Sequence, residues 1–472
     1  MMGYLEGVLR ALRPAFTREA TFAWFVVAFA GVVIRQEVYG VSSFVRALGL
    51  APVYYPALLH FFHSTAWSAE RLYRHWQAWL IRQPVVESLA GRMVLLGDHT
   101  KQPKDGRRMP GLTTLHQDSE TSSKPSFFRG HHWGCLSLLA QAHGKRFALP
   151  LWAEIHPEAC PDSRATRLVN VAAELGLRWG LPLFLVLDAF FAVGPVFRAA
   201  AASQGALHIL TRAKKNVVAY RSPPPPRPHQ RGRRRVYGRK VKLMKLFDTR
   251  ADDFRSAEAI VYQKKETVRY LVLDLIWKPL KGLVRFILIE TSRGRMILMS
   301  SDMTLAPLLA LSLYTARVRI ESLFASVKNL LGGLAYHFWS KYLAPVSRRP
   351  RRGVHPAPVS SQPDRTANTL AAIAKFLALH LVVLGALQLL AATCADAVRR
   401  HARCWLRTPS GPLPSDFISR AALANVLRDN INTLAENPVT AAIRSKQTVP
   451  RASRDKPLAH RRKPALATGQ KS

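Results

Sequence analysis

The chain has 472 residues, enough for two or three domains with sizeable cores. Its 69 Lys and Arg against 29 Asp and Glu give a formal net charge of +40, which directs attention to phosphate polyanions or an anionic surface as partners. A hydrophobic content of 48% excludes a disordered basic tail, and Cys135, Cys160, Cys394 and Cys404 show neither CxxC nor zinc spacing, as expected of reduced thiols in a cytosolic chain.

Residues 1–91 repeat apolar side chains at three and four spacing through Leu5–Leu12, Phe22–Ile34, Phe44–Leu48 and Trp67–Ile81, predicting a helical N-terminal domain. Arg71, Arg74, His75 and Arg82 alternate there with Trp67, Tyr73, Trp76 and Trp79, a mixture suited either to DNA contact or to plain helical packing. Thr21–Ile34 is too short to span a bilayer and follows Arg18 and Glu19 without a cleavage site, so neither a membrane span nor a signal peptide is expected.

Residues 92–212 change to strands. Met93–Leu96 is a buried-type run ending in Gly97-Asp98, and Leu183–Leu187 is a second, ending at Asp188. Between them, Cys135–Ala140 and Arg146–Ile155 flank a turn over 142–145. Asp162 is the predicted cap of a helix reaching Arg178, and helix Ala189–Ser203 and strand Ala206–Thr211 follow. Buried strands with acids at their ends are where α/β folds place sites.

Residues 213–300 read as a basic, β-rich insertion. Arg221–Lys245 holds ten Lys or Arg and no acid, opening on four prolines. Within it Arg233, Arg234, Arg235, Arg239 and Lys240 are predicted to contact phosphates. Strands are expected at Ile260–Gln263, Val268–Trp277, Leu283–Glu290 and Arg295–Met299, forming an antiparallel sheet. Residues 301–344 return to the core with one helix over Tyr314–Lys328. Its 3.6-residue period places Tyr314, Arg317, Glu321 and Lys328 on one broad face.

A Pro/Arg-rich linker (345–365), a helical C-terminal region (366–443) and a basic, disordered tail (444–472) complete the division. Phe376–Ala395, free of charge and about long enough to span a membrane, is expected to be a buried helix of a soluble domain because it is rich in Ala and includes Gly385, His380 and Gln388.

Three converging carboxylates, Asp98, Asp188 and Glu321, could hold two divalent cations for in-line phosphoryl displacement. Oxygen donors without His or Cys favour Mg²⁺ or Mn²⁺. Asp105, in a turn-like Asp-Gly context, is a rival ligand, whereas Asp274 and Glu290 read as structural.

Tyr314-x2-Arg317-x3-Glu321-x6-Lys328, with the preceding Met299–Leu305, resembles the Y-R-E-K signature of DDE transposases of bacterial insertion sequences, in the insertion-sequence-four group. The resemblance covers about Met93 to Trp339. It implies an RNase H-like catalytic core with a β-rich insertion, flanked by helical regions. It also implies metal binding by Asp98, Asp188 and Glu321, and contact of Tyr314, Arg317 and Lys328 with transposon-end DNA. The implied activity is cut-and-paste transposition at inverted terminal repeats, by a homodimer acting on double-stranded DNA, without a membrane, near the bacterial nucleoid in the cytoplasm. A nuclease on the same fold, or an inactive DNA-binding relative, are the alternatives. Trp277 is either a base-stacking residue, as related hairpin-forming enzymes use, or a cross-strand core aromatic.

Overall fold

The computed structural model describes residues 1–449 except 90, 118–125, 157–159, 226–231, 263, 348–358 and 404–410. Most of the expected linker, most of the basic tail and Cys404 therefore lie outside the described residues. Five helices lead: α1 (Met2–Leu12), α2 (Glu19–Ile34), α3 (Ser42–Leu48), α4 (Tyr55–His63) and α5 (Ala69–Leu80). Helix α2 is apolar on all sides, and every residue from Phe25 to Ile34 is buried, as such a pattern requires. Helix α5 is amphipathic, and Ser68 caps it by accepting the Arg71 N–H. Its Trp76 indole donates to the Pro150 carbonyl at 2.8 Å, so the helical region packs directly on the sheet.

The sheet begins with β1 (Ser88–Leu89), β2 (Arg92–Pro103), β3 (Thr113–His116), β4 (Phe127–Ala142) and β5 (Lys145–Ile155). After α6 (Arg164–Trp179) come β6 (Leu183–Val186), α7 (Gly194–Ala202) and β7 (Leu207–Arg212). Strands β2, β4 and β5 are antiparallel neighbours, while β6 lies parallel to β2 and β7 parallel to β6. The order β5-β4-β2-β6-β7 is the RNase H-like core that the resemblance implies. Gly97 makes the β2–β6 approach feasible, because a Cβ there would sit 2.8 Å from Leu187 Cδ2.

Two local predictions are corrected here. Ser163, not Asp162, caps α6 by accepting the Thr166 N–H, and Asp162 instead accepts from Asn170 Nδ2 at 2.8 Å. The helix expected over Ala189–Ser203 is split, because Asp188 starts a separate 3-10 turn (Ala189–Phe191) and Pro195 fixes a new start at α7.

The basic segment supplies two short strands, β8 (Val218–Tyr220) and β9 (Lys240–Lys242), followed by the single turn α8 (Leu246–Thr249). Four longer strands follow: β10 (Arg255–Val261), β11 (Lys264–Trp277), β12 (Gly282–Thr291) and β13 (Gly294–Ser300). The strand expected at Ile260–Gln263 is met at Ile260 and Val261, which end β10, whereas Tyr262 turns the chain with φ +47° and Gln263 lies outside the described residues. These strands do not make a sheet of their own. Strand β13 pairs antiparallel with β7, through Leu298↔Arg212 and Ser300↔Leu210, so core and insertion share one twisted sheet.

The expected single helix over Tyr314–Lys328 has three parts. Helix α9 (Pro307–Ala316) and α10 (Val318–Ala325) meet at Arg317, and Ser326–Leu330 forms a π turn. At the junction the Arg317 N–H bonds Tyr314 O and the Ile320 N–H bonds Arg317 O, so local i→i+3 bonds tighten the helix.

Helix α11 (Pro363–Thr393) is buried continuously from Phe376 to Ala391 and packs against α2, α4, α5 and β5. It alone among the described helices is long and apolar enough to cross a membrane, and 83% of its most apolar window is buried within the fold. Helices α12 (Ala395–Ala402), α13 (Asp416–Asn432) and α14 (Pro438–Arg444) close around it.

Several cations inside this assembly are held by carbonyls rather than by acids. Arg35, 1% exposed, donates to Leu331 O and to His380 Nε2, and burial lowers its pKa to about 9. His380 donates its Nδ1 proton to Phe376 O, leaving Nε2 to accept from Arg35. Lys104 donates to Leu334 O and Tyr336 O at 2.7 and 2.9 Å, and Lys375 donates to Ser64 O at 2.7 Å. Burial lowers both lysines to about 8.

Candidate active site

The parallel register of β2 and β6 sets the site. Leu96 lies beside Val186, and Asp98 and Asp188 each stand two residues further along the chain. Neighbouring strands run ~4.8 Å apart, so two acids at matching positions emerge side by side at one end of β6. Asp98 is not at a strand end, as the sequence predicts, because β2 continues to Pro103 with Asp98 paired to Cys135. Asp188 does leave its strand. Its Oδ1 accepts the Phe190 N–H at 3.0 Å, and its carbonyl accepts the Thr211 hydroxyl.

Arg317 closes the arrangement from the helix side. Its Nη1 donates to Asp98 Oδ2 at 2.9 Å and its Nη2 to Glu321 Oε1 at 2.7 Å. One guanidinium thus joins acids that lie 223 residues apart in the chain. Asp98 and Arg317 are mostly buried, with side chains 19% and 16% exposed, whereas Glu321 is 54% exposed. The site is therefore open on the side of Glu321.

The electrostatics are under tension. Burial raises Asp98 to about 6, and the charge of Asp188 adds to the rise while Arg317 opposes it. Burial also raises Asp188, again opposed by Arg317 and reinforced by Glu321. Burial alone would lower Arg317, but Asp98 and its neighbours outweigh it and raise the guanidinium. Two desolvated acids sharing one cation are short of positive charge, the condition in which an added cation binds favourably.

The donor set is all oxygen, which fits a hard divalent ion. Arg317 now takes the bridging position, and among the described residues no three acids, His or Cys are gathered into one metal-holding group. By donor type alone, the acids Asp98, Asp188 and Glu321 suit such an ion.

The other expected residues are dispersed. Tyr314 is 8% exposed, with burial raising its hydroxyl pKa and Arg317 and Asp188 among its electrostatic neighbours. Lys328 lies in the π turn, half-buried, where desolvation lowers its pKa and Cys135 acts against that shift. Arg233, Arg234, Arg235, Arg239 and Lys240 are exposed, at the far end of the sheet where β9 ends the order β7-β13-β12-β11-β8-β9. Trp277 is 6% exposed and packs edge-on against Phe197 at 5.3 Å, a core position. Asp105 is exposed in a loop beyond β2. Asp274 forms a fork with Arg285, and Glu290 pairs with Arg269 and Arg295, as structural acids do.

Sequence periodicity missed a histidine wall behind the acids. His99 and His132 lie edge to face at 4.8 Å, and both ring nitrogens of the buried His132 are without a hydrogen-bond partner. Burial lowers His99 to about 4 and His132 to about 3, so both are neutral. The visible signal was the run His131-His132, which lies opposite Lys101 and Gln102.

Residues 11–269 match the family described as DDE superfamily endonuclease, more than half of the chain. The chain belongs to that family. The match includes Asp98 and Asp188 and ends before the helix carrying Glu321. No curated protein matches this DDE endonuclease. The cryo-EM structure of a piggyBac transposase synaptic complex with hairpin DNA aligns over 91% of this chain and 75% of that chain, at 10% identity and a TM-score of 0.35.

Proposed function

We propose that this DDE endonuclease is a cut-and-paste DNA transposase that cleaves at inverted terminal repeats and transfers the freed strand ends into target DNA. The observation that carries this reading is the Arg317 bridge, which brings the helical Glu321 to the paired strand acids Asp98 and Asp188. Asp98, Asp188 and Glu321 would hold Mg²⁺ or Mn²⁺, which when bound activates the attacking oxygen and stabilises the leaving one. Asp98 and Asp188 are the buried holders, and Glu321, on the open side, completes the set from the helix. Arg317 sits where it can exchange its carboxylate partners for a DNA phosphate near the cut, as expected of the Y-R-E-K arrangement. Tyr314 supports Arg317, and Lys328 supplies a second cation from the π turn.

The basic loop around Arg233–Lys240 would hold flanking duplex DNA, with residues 1–91 as a second DNA-reading region and a homodimer pairing the two ends. The net charge of +40 supports a polyanionic partner. The test is donor excision: a marker bracketed by the gene's flanking repeats, with wild type and Glu321→Ala compared in Mg²⁺. Excision and re-joining by wild type alone supports the transposase. Cleavage without joining moves the assignment to a nuclease, and neither activity from a DNA-binding wild type moves it to an inactive relative.

A further inference from the structure

A groove of about 910 Å³ opens beside the acids rather than over them. Lys328 lines its inner end, and Gln102 brings β2 into its wall. Gln102 lies on the same sheet face as Asp98, four residues or ~13 Å along the strand. The outer wall carries Tyr39, Arg107, Arg108, His337 and Trp339. Asp105 is the acid among the lining residues.

Two features make this a built surface. Trp339 is 64% exposed and Tyr39 66%, unusual for large aromatics outside a binding face. The wall behind them is also fastened. The Ser340 N–H bonds Arg108 O, the Val346 N–H bonds Arg107 O, and Arg108 Nη1 donates to Lys341 O. Lys104 clamps the same segment through Leu334 O and Tyr336 O, while the Tyr336 hydroxyl is held by His131 and Trp133. Trp339 therefore projects from a segment whose backbone is tied down on both sides.

We propose that this groove binds single-stranded DNA leaving the catalytic acids, with an unpaired base stacked on Trp339 and phosphates on Arg107, Arg108 and Lys328. A duplex hides the faces of its bases, so an exposed indole set among cations is matched to unpaired nucleotides. Tyr39 offers a second stacking face. The inference rests on the DNA-cleaving function proposed above.

The test is titration of full-length protein with a labelled dT12 strand and, separately, with a 30-base-pair duplex. Wild type, Trp339→Ala and Trp339→Phe are compared, and unchanged thermal unfolding serves as the control for folding. Trp339→Ala should weaken dT12 binding roughly 5- to 150-fold, with Trp339→Phe close to wild type and duplex binding within about twofold. Unchanged dT12 binding in Trp339→Ala, with wild type still binding and cleaving duplex, would overturn the groove alone. A wild type that binds neither DNA form would overturn the transposase reading and the groove together. Equal displacement of dT12 by a polyglutamate peptide, insensitive to Trp339→Ala, would reassign the groove to an acidic protein segment.

Discussion

The two halves of the shared sheet treat their acids in opposite ways. In the inserted half several acids have a cation of their own: Asp274 faces Arg285, Glu290 meets both Arg269 and Arg295, and Glu258 pairs with Lys265. In the core half Asp98 and Asp188 are desolvated side by side and depend on one guanidinium, which Glu321 also engages. In a chain with a net charge of +40, cations were available in quantity. Their scarcity beside Asp98 and Asp188 favours the entry of an additional cation there, as the function proposed above requires.

The hardest way to break that contrast is to neutralise the core acids. Asp98→Asn, Asp188→Asn or Glu321→Gln should each reduce strand cleavage by roughly 10³-fold or more, read by nicking of terminal-repeat DNA. Duplex affinity should change little, and loss of both together would show that the acids are structural.

Removing the shared cation comes next. Arg317→Ala leaves Asp98 and Glu321 without their bridge and should lower unfolding free energy by about 1–3 kcal/mol in denaturant titration. Millimolar Mg²⁺ should restore part of the loss, because the ion can enter the vacated position. A variant as stable as wild type, and indifferent to Mg²⁺, would remove Arg317 from this role.

The buried lysines give a smaller, pH-dependent signal. Free lysine titrates near 10.4, whereas burial brings Lys104 and Lys375 to about 8. Between about pH 8 and 10.4 the unfolded chain holds protons that the folded chain has released, so stability should rise with pH across that window. Lys104→Met should flatten its share of the rise, and an unchanged slope would contradict the assignment. Smallest of all, Lys265→Ala breaks an exposed pair in the insertion and should shift stability by no more than about 0.5 kcal/mol with cleavage unaltered.

Much of the site was legible because apolar runs announce buried strands and each run was followed by an acid. Leu96 and Val186 turned out to be register partners, which converts two separate sequence signals into one location. Helical period also grouped Arg317 with Glu321. It could not show that the guanidinium would reach Asp98, since periodicity says nothing about which element a face meets. The break at Arg317 was equally hidden, for no Gly or Pro marks it. Asp162 and Ser163 are both good caps, so their order was a matter of tertiary contact with Asn170. Trp339 follows the last periodic stretch of its region, where sequence offers no pattern to read. Helical periodicity over residues 1–91 likewise could not show that Arg35, which follows α2, has its partners at Leu331 and His380.

The pairing of β7 with β13 has a consequence for how this chain could change length. The excursion from Arg212 to Leu298 leaves and returns on neighbouring strands, like the two sides of a long hairpin stem. Segments beyond that stem could be lengthened, trimmed or exchanged between lineages without re-routing the strands that carry Asp98 and Asp188 or displacing the return toward Glu321. The insertion is thus free to change while the strands that carry the acids stay fixed.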